Sequence, residues 1–343
     1  MKEGWEVKKI KDICDKASSN IVQNKITDLS GDYPVFGASG YVQNVDFYHR
    51  DKQYIGVVKD GSGVGRVNLY PAYSSLLGTL QYILPKEGYL INYVAYALKG
   101  LNLAKFVSGA AIPHIYFKDY GEERISVPPF SEQSQIVEEL DQLSNIIEKK
   151  RQQLSELDKL AQSIFYDMFG DPVTNEKGWE TREFSKCYKL SSGDGLSAKN
   201  IIEGDFPVYG GNGIVGYHSD YNMDGEYIII GRVGALCGNV RNVMGKAFIT
   251  DNAFILTKNV ENVNVYLLYL LKIHNLRQYA REAMQPVISN ASLRNIRIIL
   301  PPLSLQQLFA QKIEAIEKEK ELIKQSIKET EELFNSRMDY YFN

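Results

Sequence analysis

The 343-residue sequence lacks the features of a membrane or secreted protein. No apolar run approaches the roughly 20 residues that a transmembrane helix needs. The first residues, MKEGWEVKKIKD, contain no apolar stretch of the kind that a secretory signal carries. The three cysteines, Cys14, Cys187 and Cys237, are far apart and odd in number, which excludes a disulfide framework. These absences predict a reduced, cytoplasmic protein without a membrane partner.

Motifs of catalysis and of metal binding are also missing. The four histidines are scattered, and no zinc spacing, nucleophile–base pair or cofactor fingerprint appears. VPPF, from Val127, resembles the (Asn/Asp/Ser)-Pro-Pro-aromatic loop of amino-methyltransferases, but Val127 replaces the polar residue that would hold the amino group. GSGVG, from Gly61, is not followed by the Gly-Lys-Ser/Thr of a phosphate-binding loop. We therefore predict that the chain has no metal site and is not itself an enzyme.

The net charge of −3 alone argues weakly against nucleic-acid binding. Residues 1–130 carry 15 Lys and Arg against 13 Asp and Glu, and residues 174–303 carry 14 against 12. Residues 131–173 carry 4 against 9, and residues 304–343 carry 6 against 8. The acidic excess thus lies in residues 131–173 and 304–343, whereas residues 1–130 and 174–303 are mildly basic. So small a basic excess is compatible with DNA binding, but it is more typical of an ordinary solvated surface.

What the sequence does contain is an internal repeat. GWEVKKI at Gly4 returns as GWETREF at Gly178, and YPVFGASG returns as FPVYGGNG. YIGVVKDGSGVGRV matches YIIIGRVGALCGNV, and VPPFSEQSQIVEELDQL matches LPPLSLQQLFAQKIEAI. The last three pairs share one offset of 173 residues. The chain therefore consists of two copies of one unit, each a globular part followed by a helix.

The globular part of each copy has a mixed α/β pattern. YIGVV, from Tyr54, and YIIIG, from Tyr227, are short β-branched runs that predict buried strands. The shared glycines after them predict a turn into the next strand. INYVAYALKG, from Ile91, and VYLLYLLKIH, from Val265, predict a short helix in each copy.

The proline pairs mark the junction between each globular part and its helix, because proline disfavours helix upstream. Ser131 and Ser304 then stand where N-caps belong, and Ser304 with Gln307 fits a capping box. The junction residues of the shared Pro-Pro-x-Ser-x-Gln pattern are Pro128, Pro129, Ser131, Gln133, Pro301, Pro302, Ser304 and Gln306.

Each helix carries a narrow apolar stripe that predicts a coiled-coil seam of about five heptads. The stripe comprises Ile136, Leu140, Leu143, Ile147, Leu154, Leu157, Ala161, Ile164 and Met168, and then Phe309, Ile313, Ile316, Ile323, Ile327, Phe334 and Tyr341. The nearest partner for each stripe is the other helix of the chain. Lys150 and Lys320 interrupt the seam and are expected to set its register.

We predict an α+β chain in which two similar domains are separated by the two helices. Ser131 to Met168 spans about 57 Å of helix. Antiparallel pairing, which we favour over parallel, would form an intramolecular coiled coil with pseudo-two-fold symmetry. The predicted boundaries are 1–130, 131–170, 171–303 and 304–343.

The order of these segments resembles the specificity subunit of Type I restriction–modification enzymes over essentially the whole chain. GWEVKKIKDIC resembles the start of a target recognition domain, and GAAIPHIYFKD…ISVPPFSEQSQIV resembles its junction into the first helix. The second copy keeps Pro286 but has no match to His114, and Leu305 stands where the first has Glu132. Contacts that depend on those two side chains are therefore not expected in both copies.

This resemblance implies that each globular part recognises one half of a bipartite, asymmetric double-stranded DNA site. The helices would space the two domains and dock two modification subunits, which use S-adenosylmethionine to methylate adenine. Restriction subunits, with ATP and Mg²⁺, would cleave unmethylated DNA. All chemistry would belong to those partners.

Candidate DNA contacts are basic, amide or histidine side chains in turn-rich stretches. They are Asn44, His49, Lys59 and Arg66 in the first copy and Asn212, His218, Arg232 and Arg241 in the second. Lys59 and Arg232 share one repeat position and are predicted to be phosphate contacts. Asn44 and Asn212 do not correspond, as divergent specificity requires.

Two other functions remain open. A non-DNA coiled-coil adaptor with two protein-binding domains would explain the repeat and the weak charge equally well. The DNA-reading half of a split restriction enzyme of another type is a third interpretation.

Overall fold

The computed structural model describes residues 4–109, 113–281 and 284–342 of the chain. It divides into two compact units, Met1–Arg151 with Gln325–Asn343 and Gln152–Lys324. The boundaries fall within the two long helices, so each unit contains one globular domain and a segment of both helices. Within the described ranges, no helix is apolar over a stretch long enough to cross a bilayer.

The first unit, unit 1, begins with the first globular domain. Its elements are β1 (Glu6–Lys9), α1 (Ile10–Ile13), β2 (Cys14–Ser18), β3 (Tyr33–Gly37), β4 (Gly40–Val45), β5 (Tyr54–Val58), β6 (Val67–Tyr70), β7 (Ser75–Leu76), β8 (Leu80–Pro85), α2 (Ile91–Gly100), α3 (Phe117–Tyr120) and β9 (Arg124–Val127). The long helix α4 (Phe130–Phe169) follows β9 directly.

Two sheets and a helix form the layers of this domain. One sheet has the order β2-β8-β5-β6, the other β4-β3-β7, and β1 pairs with β9. Along β5, Ile55 and Val57 belong to the core that includes α2, while Tyr54 and Val58 belong to the core with the smaller sheet. Because successive strand side chains point to opposite faces, this explains why the whole run YIGVV is buried.

Unit 2 repeats the same order of elements. They are β10 (Thr181–Glu183), α5 (Phe184–Cys187), β11 (Tyr188–Ser192), β12 (Phe206–Gly210), β13 (Gly213–His218), β14 (Glu226–Gly231), β15 (Val240–Met244), β16 (Phe248–Ile249), β17 (Ala253–Lys258), α6 (Asn264–Ile273), α7 (Asn290–Leu293), β18 (Arg297–Ile299) and the second long helix α8 (Leu303–Phe342). The sheets have the orders β11-β17-β14-β15, β13-β12-β16 and β10-β18, which match those of unit 1. The predicted repeat, buried strands and short helices are confirmed.

The helices pack antiparallel within each unit, as predicted. In unit 1, Glu139 accepts hydrogen bonds from Arg337 and Tyr341, and Lys150 reaches Ser326 and Thr330. As the residue numbers rise along α4, those of the partners along α8 fall, which is the pattern of antiparallel helices. In unit 2, Asp158 pairs with Lys320, and the ring of Phe165 contacts Phe309.

The predicted seam is only part of what these helices bury. Phe165 and Phe169 of α4 pack against Tyr266 of α6 in unit 2, although neither residue was in the predicted stripe. Met338 and Phe342, at the matching positions of α8, pack near Tyr93 of α2 in unit 1. The C-terminal end of the long helix of each copy therefore completes the hydrophobic core of the other copy's globular domain.

The N-cap prediction for Ser131 and Ser304 was wrong. Helix α4 begins at Phe130 and α8 at Leu303, so each serine lies inside the first turn. The carbonyl of Pro129 accepts the backbone N–H of Glu132 and of Gln133 at 2.9 and 3.0 Å. Proline fixes φ near the helical value, so its carbonyl can take over this role without a side-chain cap.

The repeated glutamine explains the shared junction pattern. The Oε1 atom of Gln133 accepts the N–H of Leu90 at 2.9 Å, and its Nε2 donates to the carbonyl of Pro128 at 3.1 Å. Gln306 makes the same bonds to Val263 and Pro301, both at 3.0 Å. Both side chains are buried. Each amide thus connects the start of a short helix to the start of a long one.

His274, at the end of α6, is a buried group specific to unit 2. It is 2% exposed, and neither ring nitrogen has a hydrogen-bond partner. Burial lowers the pKa of His274, and the nearby carboxylate of Asp171 only partly opposes this. Leu101 occupies the matching position of unit 1. The folded chain therefore favours the neutral imidazole.

We predict that His274→Leu stabilises unit 2 and reduces its sensitivity to acid. Below pH 6.5, the ordinary histidine pKa, the unfolded chain binds a proton that the folded chain excludes, so stability falls as pH falls. Between pH 7.5 and 5.5 the native chain should lose more stability than His274→Leu, by at most about 1 kcal/mol, measured by urea unfolding. Equal pH dependence of the two proteins would contradict this.

Candidate nucleic-acid interface

The glycine-rich turn between β5 and β6 positions Lys59 and Arg66. Gly61, Gly63 and Gly65 all have positive φ, which glycine adopts without strain. A Cβ on Gly65 would lie 2.7 Å from the backbone nitrogen of Ala104, so the turn also needs a close approach to the segment after α2. The predicted turn is confirmed, and its glycines allow it to pack closely against the segment after α2.

Asp60 neutralises the charge of Lys59. Its carboxylate is bonded by Lys59 Nζ through one oxygen and by His114 Nδ1 through the other. Burial opposes ionisation of Asp60, but the hydrogen bonds from Lys59 and His114 outweigh it and hold the pKa of Asp60 below its ordinary value. Lys59 therefore contributes little net charge to a phosphate contact.

Arg232 occupies the matching turn of unit 2 in a different electrostatic setting. Its guanidinium lies over the ring of Phe254 at 4.6 Å, and Nη1 donates to Ser192 Oγ at 2.7 Å and to the carbonyl of Asp251 at 2.9 Å. Val233 stands where unit 1 has Asp60. Among the described residues no carboxylate pairs with Arg232, so its positive charge stays uncompensated.

Arg66 and Arg241 both hold the hairpin turn of the smaller sheet. Arg66 Nη2 donates to the carbonyl of Ala38 at 2.9 Å, and Arg241 Nη2 donates to the carbonyl of Asn212 at 2.9 Å. The two arginines are not at matching positions of the repeat. Arg66 directly precedes β6, whereas Arg241 lies within the matching strand β15, so a similar contact is built from neighbouring positions of the repeat. This contact places Arg241 and Asn212 together.

The other four candidates are dispersed. Asn44 is exposed on β4, and Asn212 is exposed at the turn between β12 and β13. His49 is exposed, with Nδ1 3.5 Å from the hydroxyl of Tyr82. His218 is buried, and its Nδ1 accepts the backbone N–H of Ile202 at 3.0 Å. The ring of His218 therefore holds a neighbouring segment, and a direct DNA contact by it stays a prediction.

Exposed apolar side chains on the hairpin strands were missed by the search for basic and amide residues. Tyr41 of β4 is 63% exposed, and Ile214, Val215 and Tyr217 of β13 are each more than half exposed. Tyr41 and Gly40 line a cleft of about 640 Å³ between β3, β4 and residues 21–23.

Within residues 4–109, 113–281 and 284–342, no group of three or more His, Cys, Asp or Glu side chains is placed to hold an ion.

Comparison with known families gives a match to both copies. The model of the Type I restriction modification DNA specificity domain matches residues 2–159 and 176–332. The EcoprrI specificity subunit of Escherichia coli is 32% identical over 155 residues, which cover 42% of this chain and 38% of that protein. The MjaIX specificity subunit of Methanocaldococcus jannaschii is 23% identical over 236 residues, with 57% and 54% covered. The chain thus matches about half or less of these relatives' lengths.

Comparison with solved structures supports the fold. The S subunit of a Type I restriction–modification system from M. genitalium aligns with a TM-score of 0.63 and 17% identity, covering 99% of this chain and 96% of that one. A chain from a study of assembly and conformational transition of the Type I system aligns with a TM-score of 0.59 and 15% identity.

The turn chemistry predicts how Asp60→Asn changes binding to DNA. Removing the carboxylate frees the charge of Lys59, so one more phosphate can be neutralised and its counterion released. The slope of log K against log salt should become steeper by about 0.9 for a duplex of arbitrary sequence, measured by fluorescence anisotropy. Asp28→Asn, at an exposed position outside this turn, is the control. Equal slopes for the two variants would show that Lys59 does not contact phosphate.

Proposed function

Because the chain belongs to the family of Type I restriction–modification DNA specificity domains, we propose that it selects the DNA sequence on which such an enzyme acts. One observation carries this proposal. Both copies match the family, share one fold, and differ in the side chains that their equivalent turns present. A common scaffold with different surface groups is what recognition of two unlike sequences requires.

The proposed target is a bipartite, asymmetric site in double-stranded DNA, with one part read by each globular domain. The turn after the buried strand carries a neutralised Lys59 in unit 1 and an uncompensated Arg232 in unit 2. The same place in the fold would therefore make contacts of different strength. Arg66 and Arg241 hold the hairpins that would present Tyr41 and Asn212.

The long helices are the proposed docking surface for two modification subunits. Their buried faces are used within each unit, but large apolar side chains remain on the outer faces. Leu160 of α4 is 47% exposed, and Leu322 and Leu333 of α8 are 63% and 50% exposed. We expect docked modification subunits to cover these leucines. Restriction subunits would join the same assembly.

We propose that the chain is not catalytic and acts as the recognition subunit. In this proposal S-adenosylmethionine belongs to the modification subunits, and ATP and Mg²⁺ belong to the restriction subunits.

The test is a base-resolution adenine methylome of cells that contain a compatible modification subunit, with and without this chain. We expect a two-part, gapped motif that is methylated only when the chain is present. Exchange of residues 174–303 for those of another family member should change one half of the motif. Exchange of residues 1–130 should change the other half, and this reciprocal exchange is the control.

Two outcomes would contradict the proposal. If no methylated motif depends on the chain although it forms a complex with an active modification subunit, the adaptor function becomes the better account. If exchange of one domain changes both halves together, the two domains do not read separate parts of the site.

A further inference from the structure

An aromatic cluster lies at the edge of the smaller sheet of unit 1. It consists of Tyr33, Tyr48 and Tyr73. The ring centroids of Tyr33 and Tyr48 are 4.8 Å apart, those of Tyr48 and Tyr73 are 5.2 Å apart, and both contacts are edge-to-face. Tyr48 and Tyr73 are 41% and 53% exposed. Three linked rings on the surface are unusual unless something covers them.

In unit 2, other residues occupy the same place in the fold. The matching residues, at the repeat offset, are Phe206, Tyr221 and Lys246. The Phe206 and Tyr221 rings are 5.0 Å apart, again edge-to-face. Lys246 Nζ lies 4.6 Å from the centroid of the Tyr221 ring and 6.0 Å from that of Phe206. A cation over an aromatic face is attracted by the electron density of the ring. Unit 2 therefore supplies its own cation to the aromatic pair.

Unit 1 keeps the aromatic pair and lacks the cation. In the part of the chain that the structure describes, no lysine or arginine lies over Tyr33, Tyr48 or Tyr73. Arg50, the nearest arginine in sequence, lies over the inner ring of Tyr82 at 4.8 Å. Tyr73 has a φ of +54°, a left-handed conformation that is costly for a bulky residue. The chain thus holds an exposed ring in a strained position at the place of Lys246.

The charges carried by the same segments favour a cationic ligand. Asp32 precedes Tyr33, and Asp46 and Asp51 flank Tyr48, all of them exposed. Lys52 is the exposed basic residue of these segments, while Arg50 is directed to Tyr82. The local excess is therefore negative. An excess of one negative charge favours an ammonium or guanidinium group over a phosphate.

We propose that Tyr33, Tyr48 and Tyr73 form a binding site for a lysine or arginine side chain of a partner protein. The partner's cation contacts the exposed parts of the Tyr48 and Tyr73 rings, and the acidic side chains add electrostatic attraction. Among the described residues, the matching place of unit 2 already holds Lys246, so we expect the two domains to differ in this contact. This proposal does not depend on DNA recognition by either domain.

The test uses the full chain with ¹³C-labelled tyrosine rings, observed by NMR and assigned by single Tyr→Phe variants. The probe is a short peptide with two arginines, and the matched control is the same peptide with citrulline, which has the same shape without the charge. We expect saturable shifts at Tyr33, Tyr48 and Tyr73, with the arginine peptide bound about two- to fivefold more tightly.

Reciprocal substitutions make the test specific. Tyr73→Lys places a cation over the pair, as in unit 2, and should abolish the response to the peptide. Lys246→Tyr should create a second site, detected as new peptide-dependent shifts at Tyr221. Tyr73→Phe keeps the ring and should retain binding, and thermal unfolding checks that each variant folds.

Three results would overturn the proposal. Equal binding of the arginine and citrulline peptides would show that charge does not matter. An unchanged response in a folded Tyr73→Lys variant would place the peptide elsewhere. Shifts of these three rings with a DNA duplex and not with the peptide would identify nucleic acid as the occupant. If the chain failed to bind DNA, the proposed cation site would not be affected.

Discussion

The structure depends on the apolar stripes of α4 and α8, which neither copy of the repeat can cover alone. Each helix is 40 residues long, and its own globular domain covers one end. The other end carries residues that complete the opposite domain, namely the buried Phe165 and Phe169 in α4 and, in α8, the buried Met338 and the partly buried Phe342. Burial of such side chains contributes about 1.5–3 kcal/mol each. This requirement joins the two copies in one folded chain.

Much of this architecture could be predicted because the sequence contains two copies of the same unit. The repeat, the buried strands, the short helices and the antiparallel seam follow from periodicity and from matched segments. Phe165 and Met338 could not be predicted from the seam, because they pack against α2 or α6 as well as against the partner helix. The N-cap at Ser131 failed because local propensity does not show that the Pro129 carbonyl takes that role.

The turns that carry the candidate residues were predictable, but the contacts of their side chains were not. Turn glycines and basic residues correctly indicated the turns of Lys59 and Arg232. Composition could not show that Asp60 and His114 compensate Lys59, since His114 is 54 residues away in sequence. It also could not show that His218 is buried against Ile202. The two domains share backbone geometry and differ in charge at matching places, as Asp60 against Val233 and Tyr73 against Lys246 illustrate. Divergence on a fixed scaffold gives the two domains different surface chemistry.

The most direct test of this account is hydrogen–deuterium exchange of the full chain carrying Met338→Asp. Met338 is 8% exposed and packs in the cluster of Trp5, Tyr93 and Ile136, whereas Leu333 on the same helix is 50% exposed. We predict that Met338→Asp strips protection from α2 and the start of α4 in unit 1, while unit 2 keeps its protection and Leu333→Asp has little effect. If Met338→Asp leaves the exchange of α2 unchanged, the first domain is complete without the helix of the second copy, and the account is wrong.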